Sequence, residues 1–365
     1  MIQKQSIIII GSGISGLTIA AGLETSDFLL LEARDRIGGR VLTTSSNLDM
    51  GAAWLHGSTG NPLNKYLDQK NLIPVSNSNP WMHPENTPIK YLSDTYVIDA
   101  SSNTKWRALA ARIASMPGIS IGEALRAIGY DEDPVIFSFI YLMEVWCGGS
   151  VYNIPTSFLE SDEFQVALFG DYGGNHSLFK TGALSVVDAL VSTAHHNIHE
   201  RIHYNKVVVE VVYGATGVEV YTQDGSKYMC EKLCITVPPK PLQNIRFVPP
   251  LDDAKIKALS EIKMGSYKKI QLEFDRADVF WGEEPMMLTC NPKTTGKDYY
   301  LGDGDAACPY VLWNNYMSSK NKPILEAVCP ANVGWKLSGS PDDEIMDSMM
   351  MNLRAFYPDA PDPIA

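Results

Sequence analysis

The sequence predicts a mixed fold of α/β and α+β character, in which a βαβ-type sheet is interleaved with a second part made of a helical segment and a β-sheet. Three observations carry this expectation. A β-branched run, a glycine-rich turn and a helix-forming stretch follow one another within residues 7–23. Residues 61–127 then hold proline-rich loops and helical stretches. Strand signals recur at 207–213, 218–223 and 228–237, separated by glycine and aspartate turns.

Taken in order, Ile7-Ile8-Ile9-Ile10 is the continuous apolar run of a parallel strand buried on both faces. Residues 11–16 turn the chain into a helix expected to run to about Leu23, and 28–32 make the next strand. Helices are expected near 106–116, 121–128, after Pro134 and over 184–194. Residues 269–274 alternate as a strand. Ser340, Pro341 and the acids at 342–344 read as a helix start, with Ile345, Met346, Met349, Met350, Leu353 and Phe356 turned to the core. Pro358 ends that helix.

Bulk properties exclude several classes. The chain has 365 residues, 45% hydrophobic and 20% charged, enough for two or three domains. A net charge of −12 argues against nucleic acid, which demands a basic footprint. The six cysteines form no CxxC pair, which suits a reducing compartment. No stretch reads as a signal peptide or a membrane span; the apolar run at 135–147 is short and contains Glu144. The expected location is the cytoplasm, with the peroxisome as the alternative. His195, His196, His199 and His203 are spaced like metal ligands, but no other ligand type recurs with them, and no metal is expected.

Gly11-Ser12-Gly13-Ile14-Ser15-Gly16 matches GxGxxG, follows a strand and opens a helix, and Glu32 ends the next strand 21 positions after Gly11. Gly11 makes the tight turn, Gly13 admits a pyrophosphate, and Gly16 lets helix and strand pack closely. The helix N-terminus offers unpaired N–H groups to phosphate. Glu32 can accept bonds from ribose hydroxyls and would repel a 2′-phosphate. Glu32-Ala33-Arg34-Asp35-Arg36-Ile37-Gly38-Gly39-Arg40 adds a double glycine and arginines that can fold back over the pyrophosphate, with Arg34 or Arg40 in charge-assisted contact. That addition points to FAD rather than NAD; the competing reading is a charged turn.

These segments, with Gly51-Ala52-Ala53-Trp54-Leu55-His56-Gly57 and the 264–274 segment followed by Trp281, resemble the flavin amine oxidases: monoamine, polyamine and L-amino acid oxidases and lysine-specific histone demethylases. The resemblance implies a Rossmann-like FAD-binding domain over 1–75 and 180–250 and a substrate-binding domain over 76–179 and 251–365. It implies that Ala53 and Trp54 lie against the flavin and that Val208 holds adenine through its backbone. Hydride would leave the carbon beside an amine nitrogen for noncovalently bound FAD, the imine would be hydrolysed, and O2 would reoxidise the cofactor to give hydrogen peroxide.

Within 264–274, alternation puts Lys269 opposite Ile270, on the face of Gln271 and Glu273. The family carries a lysine at the position of Lys269, holding a water near the flavin; Lys268 is the runner-up, and a solvated lysine the competing reading. The 51–62 segment is similar to animal polyamine oxidases, which carry a substrate-facing histidine at His56. A neutral imidazole there could accept a hydrogen bond from an amine. Glu160, Asp162, Glu163 and Asp171 fall where polyamine oxidases place carboxylates for remote ammonium groups, Asp171 matching best. The resemblance therefore points to a polyamine as substrate. Another flavin amine oxidase, or a truncated flavin-binding paralogue without activity, stays open. Two departures stand out. Relatives continue past residue 365 with a glycine-rich strand and helix, so the chain reads as a fragment or as a protein that has lost them, with a sheet edge exposed. Lys180-Thr181-Gly182-Ala183 also lacks the usual paired glycines.

Overall fold

The computed structural model describes residues 4–56, 61–70, 75–77, 90–91, 96–97, 100–129, 143–161, 177–283, 286–290 and 310–365. The chain divides into two compact units, Met1–Trp54 with Tyr66–Pro74 and Phe179–Met264, and Leu55–Lys65 with Val75–Leu178 and Gly265–Ala365.

The first unit is built on a seven-stranded sheet. Its strands are β1 (Lys4–Ile10), β2 (Phe28–Leu31), β3 (Ile202–His203), β4 (Val208–Gly214), β5 (Gly217–Thr222), β6 (Lys227–Ile235) and β7 (Arg246–Val248), in the order β7-β4-β5-β6-β1-β2-β3. β6, β1, β2 and β3 run parallel, with Ile10 between Leu31 and Ile235. β4, β5 and β6 form an antiparallel meander. Most of the isoleucine run is buried because β1 is central: Ile8 and Ile9 are fully enclosed, Ile10 nearly so, and every residue of β2 is buried. Burial of each such side chain stabilises the fold by roughly 1.5–3 kcal/mol. Helix α1 (Ile14–Ala21) is shorter than its sequence suggests and is closed by Gly22, whose N–H donates to the Thr18 and Ile19 carbonyls.

The helix Leu184–Ser192 joins this unit through a buried polar pair. Asp49, with no exposed surface, accepts the Thr43 hydroxyl at 2.6 Å and the Ala183 N–H at 2.8 Å. A carboxylate at a helix N-terminus is favoured by the dipole. Gly182 is required beside it: φ is +87°, and a Cβ would lie 2.2 Å from Thr43 Cγ2.

The second unit contains an antiparallel run β8 (Tyr267–Glu273), β9 (Met286–Cys290), β10 (Tyr310–Asn315) and β11 (Ile324–Pro330), ordered β8-β11-β10-β9 and extended by the two-residue strands Lys90–Tyr91 and Tyr96–Val97. One face is apolar, where Leu272, Trp313, Leu325, Ala327 and Cys329 pack on the helices Ala331–Leu337 and Asp342–Arg354. The latter helix begins at Pro341 without a side-chain cap, and the Ser340 hydroxyl donates instead to the Lys336 carbonyl, so Ser340 is not the expected cap. Ile345, Met349, Met350 and Leu353 face the core as the spacing implies, whereas Met346 turns outward and Phe356 is half-buried.

Candidate active site

The glycine turn after β1 has the conformation its sequence demands. Gly11 has φ of +100°, and its N–H donates to the Leu31 carbonyl at 2.9 Å. A Cβ on Gly16 would lie 2.0 Å from the Gly11 carbonyl oxygen, so only glycine lets α1 press this closely on the strand. Gly13 is different. A Cβ there would meet nothing nearer than the Gly39 Cα at 4.0 Å, which leaves open space above the loop. Among the described residues no side chain caps α1 at Gly13, which leaves the first turn of the helix suited to receive an anion on its N–H groups.

The 32–41 segment folds back on this loop. The Gly38 N–H donates to the Ser12 carbonyl at 2.9 Å, and Gly13 and Gly38 form a parallel bridge. Gly38 and Gly39 both have positive φ, which explains the double glycine. Arg36 ties the turn down, its guanidinium donating to the Ile37, Gly39 and Val41 carbonyls. Arg34 spends one donor on the Gly39 carbonyl at 3.0 Å, and Arg40 is exposed. The buried Glu32 carboxylate accepts the Ser12 N–H at 2.8 Å and hydroxyl at 2.6 Å on Oε2, and the Arg34 N–H at 2.9 Å on Oε1. A carboxylate has about four acceptor positions, so Oε1 keeps room for a further donor such as a ribose hydroxyl.

Together these elements enclose a cavity of about 540 Å³, within the range of cofactor sites. Gly11, Gly13, Ile14, Ser15, Glu32, Ala33, Arg34, Gly39, Arg40 and Val208 line it, all from the expected set. Four others of that set do not. Ser12 is fully buried and acts through Glu32; Gly16, within α1, is buried against the Gly11 carbonyl; Ala53 is buried and Trp54 begins a short strand, while Ala52 takes the lining position. Thr236, Val237, Pro238 and Lys206 also line the cavity and were not legible in advance. Thr236 reaches it because β6 runs parallel to β1, so the end of one strand meets the turn after the other; its hydroxyl donates to the Ile10 carbonyl at 2.8 Å. The open space at Gly13, the N–H groups of the first helical turn and the spare acceptor on Glu32 fit a dinucleotide.

In the second unit, His56 packs edge-on against Trp146 with ring centroids 4.9 Å apart. The Asn61 amide donates to its carbonyl at 2.9 Å. Burial pushes its imidazole down to about 4, so the ring is neutral near pH 7. Glu144, two residues before Trp146, is a buried carboxyl that sequence reasoning missed. It accepts the Val151 N–H at 2.9 Å, and desolvation pushes it up to about 7. The sequence held only a weak signal for it, an acid inside an apolar run.

The two adjacent lysines part company. Lys268 shares the apolar face and donates to the Leu337 carbonyl at 2.8 Å, where it caps the end of the Ala331–Leu337 helix. Lys269 turns to the opposite face, where its side chain is 7% exposed and its Nζ lies 3.6 Å from Glu326 Oε1. Glu160 is exposed, and Asp162, Glu163 and Asp171 lie outside the described residues. Of the histidines spaced like ligands, His196 contacts the Glu24 carbonyl and His203 the Tyr228 hydroxyl. Among the described residues no group of acids, cysteines and histidines is placed to hold a metal, and no helix is long and apolar enough to cross a membrane.

Comparison with known proteins bears on this arrangement. A family model described as flavin containing amine oxidoreductase matches residues 14–365. The chain is 29% identical to a probable polyamine oxidase 4 of Arabidopsis thaliana, over all of its own length and 75% of that protein's. It is 29% identical to polyamine oxidase 4 of Oryza sativa subsp. japonica, over 98% of this chain and 74% of the relative. Lysine-specific histone demethylase 2 of Homo sapiens is 24% identical, over 99% of this chain and 45% of the relative. Among solved structures, cyclohexylamine oxidase from Brevibacterium oxydans superposes with a TM-score of 0.73 at 17% identity, over all of this chain and 84% of that one. That likeness is one of fold.

Proposed function

The chain belongs to the flavin containing amine oxidoreductases, and from that premise we propose that it is a polyamine oxidase. FAD is the cofactor, held by the glycine turn, Glu32 and the 32–41 segment; when bound it supplies the acceptor for a hydride from the carbon beside an amine nitrogen and passes the electrons to O2, giving hydrogen peroxide. The observation that carries the narrower reading is the set of polyamine oxidases that the chain matches over some three-quarters of their length.

The chain's own residues have stated tasks in this reading. The amine must react as the free base, because its lone pair stabilises the developing iminium. A desolvated pocket lowers an amine's pKa and favours that form. His56, neutral through burial, accepts a hydrogen bond from a substrate N–H and steadies the amine for reaction. Lys269, held away from bulk solvent, orients a water that assists either reoxidation of the flavin or hydrolysis of the imine to an aldehyde and a shorter amine. Asp171 takes a remote ammonium group of the substrate.

A panel of spermine, N-acetylspermine, free amino acids and a methyl-lysine peptide, read by peroxide release, tests the assignment. Turnover of the two polyamines above the rest is expected. Preference for the peptide would replace this reading with the second one, demethylation of lysine, which the match to a histone demethylase favours. Absence of turnover with every amine, from protein that holds FAD, would leave a flavin-binding protein without this activity.

A further inference from the structure

The face of the β8-β11-β10 sheet that carries Lys269 is polar at its centre. Strand register sets Gln271 and Asn314 on either side of Glu326, because Glu326 pairs with Gln271 across β8 and with Asn314 across β10. Glu326 has no exposed surface. Its Oε1 accepts the Asn314 amide at 2.8 Å, and its Oε2 accepts the Gln271 amide and the Tyr316 hydroxyl, each at 2.8 Å. All three donors are neutral. Among the described residues, the cation beside the carboxylate is Lys269, 3.6 Å from Oε1. A buried carboxylate is costly unless a countercharge and hydrogen bonds compensate it, and here three fixed donors set its orientation before the lysine arrives. Among the described residues, the buried Asn314 Oδ1 has no hydrogen-bond partner, as its amide is turned to give the N–H to Glu326.

We infer that Glu326 is a positioning residue: it holds the Lys269 ammonium in one place on the polar face of β8, and Gln271, Asn314 and Tyr316 hold Glu326. The inference rests on the reading of Lys269 given above. A long lysine side chain has several rotatable bonds, and one countercharge locked by three donors removes much of that freedom. Glu326 acts on the reaction only through Lys269.

The test compares Glu326→Gln, Lys269→Met and the double variant, each loaded with FAD and also as apoprotein. In the FAD-loaded proteins, anaerobic bleaching by amine and reoxidation by O2 are timed separately. Glu326→Gln should slow reoxidation or steady-state turnover by roughly ten- to hundredfold while bleaching keeps its rate. In the Lys269→Met background the same change should do nothing further. In the apoproteins, thermal unfolding supplies a readout independent of activity. Glu326→Gln should lower the midpoint by roughly 5 °C or more when Lys269 is present. It should raise the midpoint in Lys269→Met, where it removes a buried charge that has lost its counterion. Should Glu326→Gln fail to fold alone, recovery of folding in the double variant supports the pairing and continued failure overturns it. Additive slowing in the double variant, or equal loss in both half-reactions, overturns the role of Glu326 alone. Wild-type kinetics in Lys269→Met overturns the reading of Lys269, and this inference with it.

Discussion

At the scale of single residues, the two buried titratable groups near Trp146 pull stability in opposite directions with pH. Glu144 binds its proton more tightly in the fold, at about 7 against 4.5. Its contribution is therefore fully present below pH 4.5 and is lost as pH rises through 7. His56 is the converse, about 4 against 6.5, so its contribution is present above pH 6.5 and lost as pH falls through 4. In the wild type the two slopes overlap and offset. Glu144→Gln keeps the carbonyl that accepts the Val151 N–H and removes the ionisation. Urea unfolding should show the variant more stable than wild type by up to about 3 kcal/mol above pH 7, with the difference vanishing near pH 4.5. Parallel stability curves across that range would mean that Glu144 is not desolvated in the fold. The motif residues were legible one at a time, since Gly11, Gly13 and Gly16 each answer a backbone requirement. Glu144 was not, because an acid in an apolar stretch is ordinary until its burial is known.

At the scale of elements, alternation along β8 sorts two adjacent lysines that the sequence alone leaves as rivals. Period two sends Lys269 to one face with Gln271 and Lys268 to the other. The packing then gives Lys268 a helix terminus to cap. Lys268→Met should cost about 0.5–1 kcal/mol in chemical denaturation, the worth of a cation at a helix C-terminus, and should leave turnover at the wild-type rate. A large loss of turnover with unchanged stability would exchange the roles of the two lysines. Other elements show why strand and helix existence was easier to read than their ends. α1 stops at Ala21 because Gly22 closes it, although Leu23 continues the apolar pattern. The helix after Ser340 starts one residue later than a serine cap would place it, since Pro341 supplies the extended N-terminal conformation itself.

For the molecule as a whole, the proposed cofactor site belongs to the first unit, and its lining is drawn from four stretches, 10–15, 31–41 with Ala52, 206–209 and 236–245. A ligand that bridges stretches this far apart in sequence ties them together. FAD at about 100 times its dissociation constant should stabilise the apoprotein by about 2.7 kcal/mol, read as a rise in the thermal midpoint. Hydrogen exchange should slow most at Gly11–Ser15 positions, 32–40 and 206–209. Uniform slowing over both units, or none at those segments, would count against the cavity as the FAD site.

The β1-turn-α1 unit, the acid at the end of β2 and the meander 208–235 could be read from residues in a row, because each obeys a local rule of period, turn or close approach. Contacts between distant segments had no such signal. Thr236 comes to the glycine turn by parallel pairing, Asp49 reaches the amide before the Leu184–Ser192 helix, and Glu326 meets Lys269 across a sheet. Each depends on strand order and register, which arise when buried faces of separate segments find one another; no spacing along the chain encodes them.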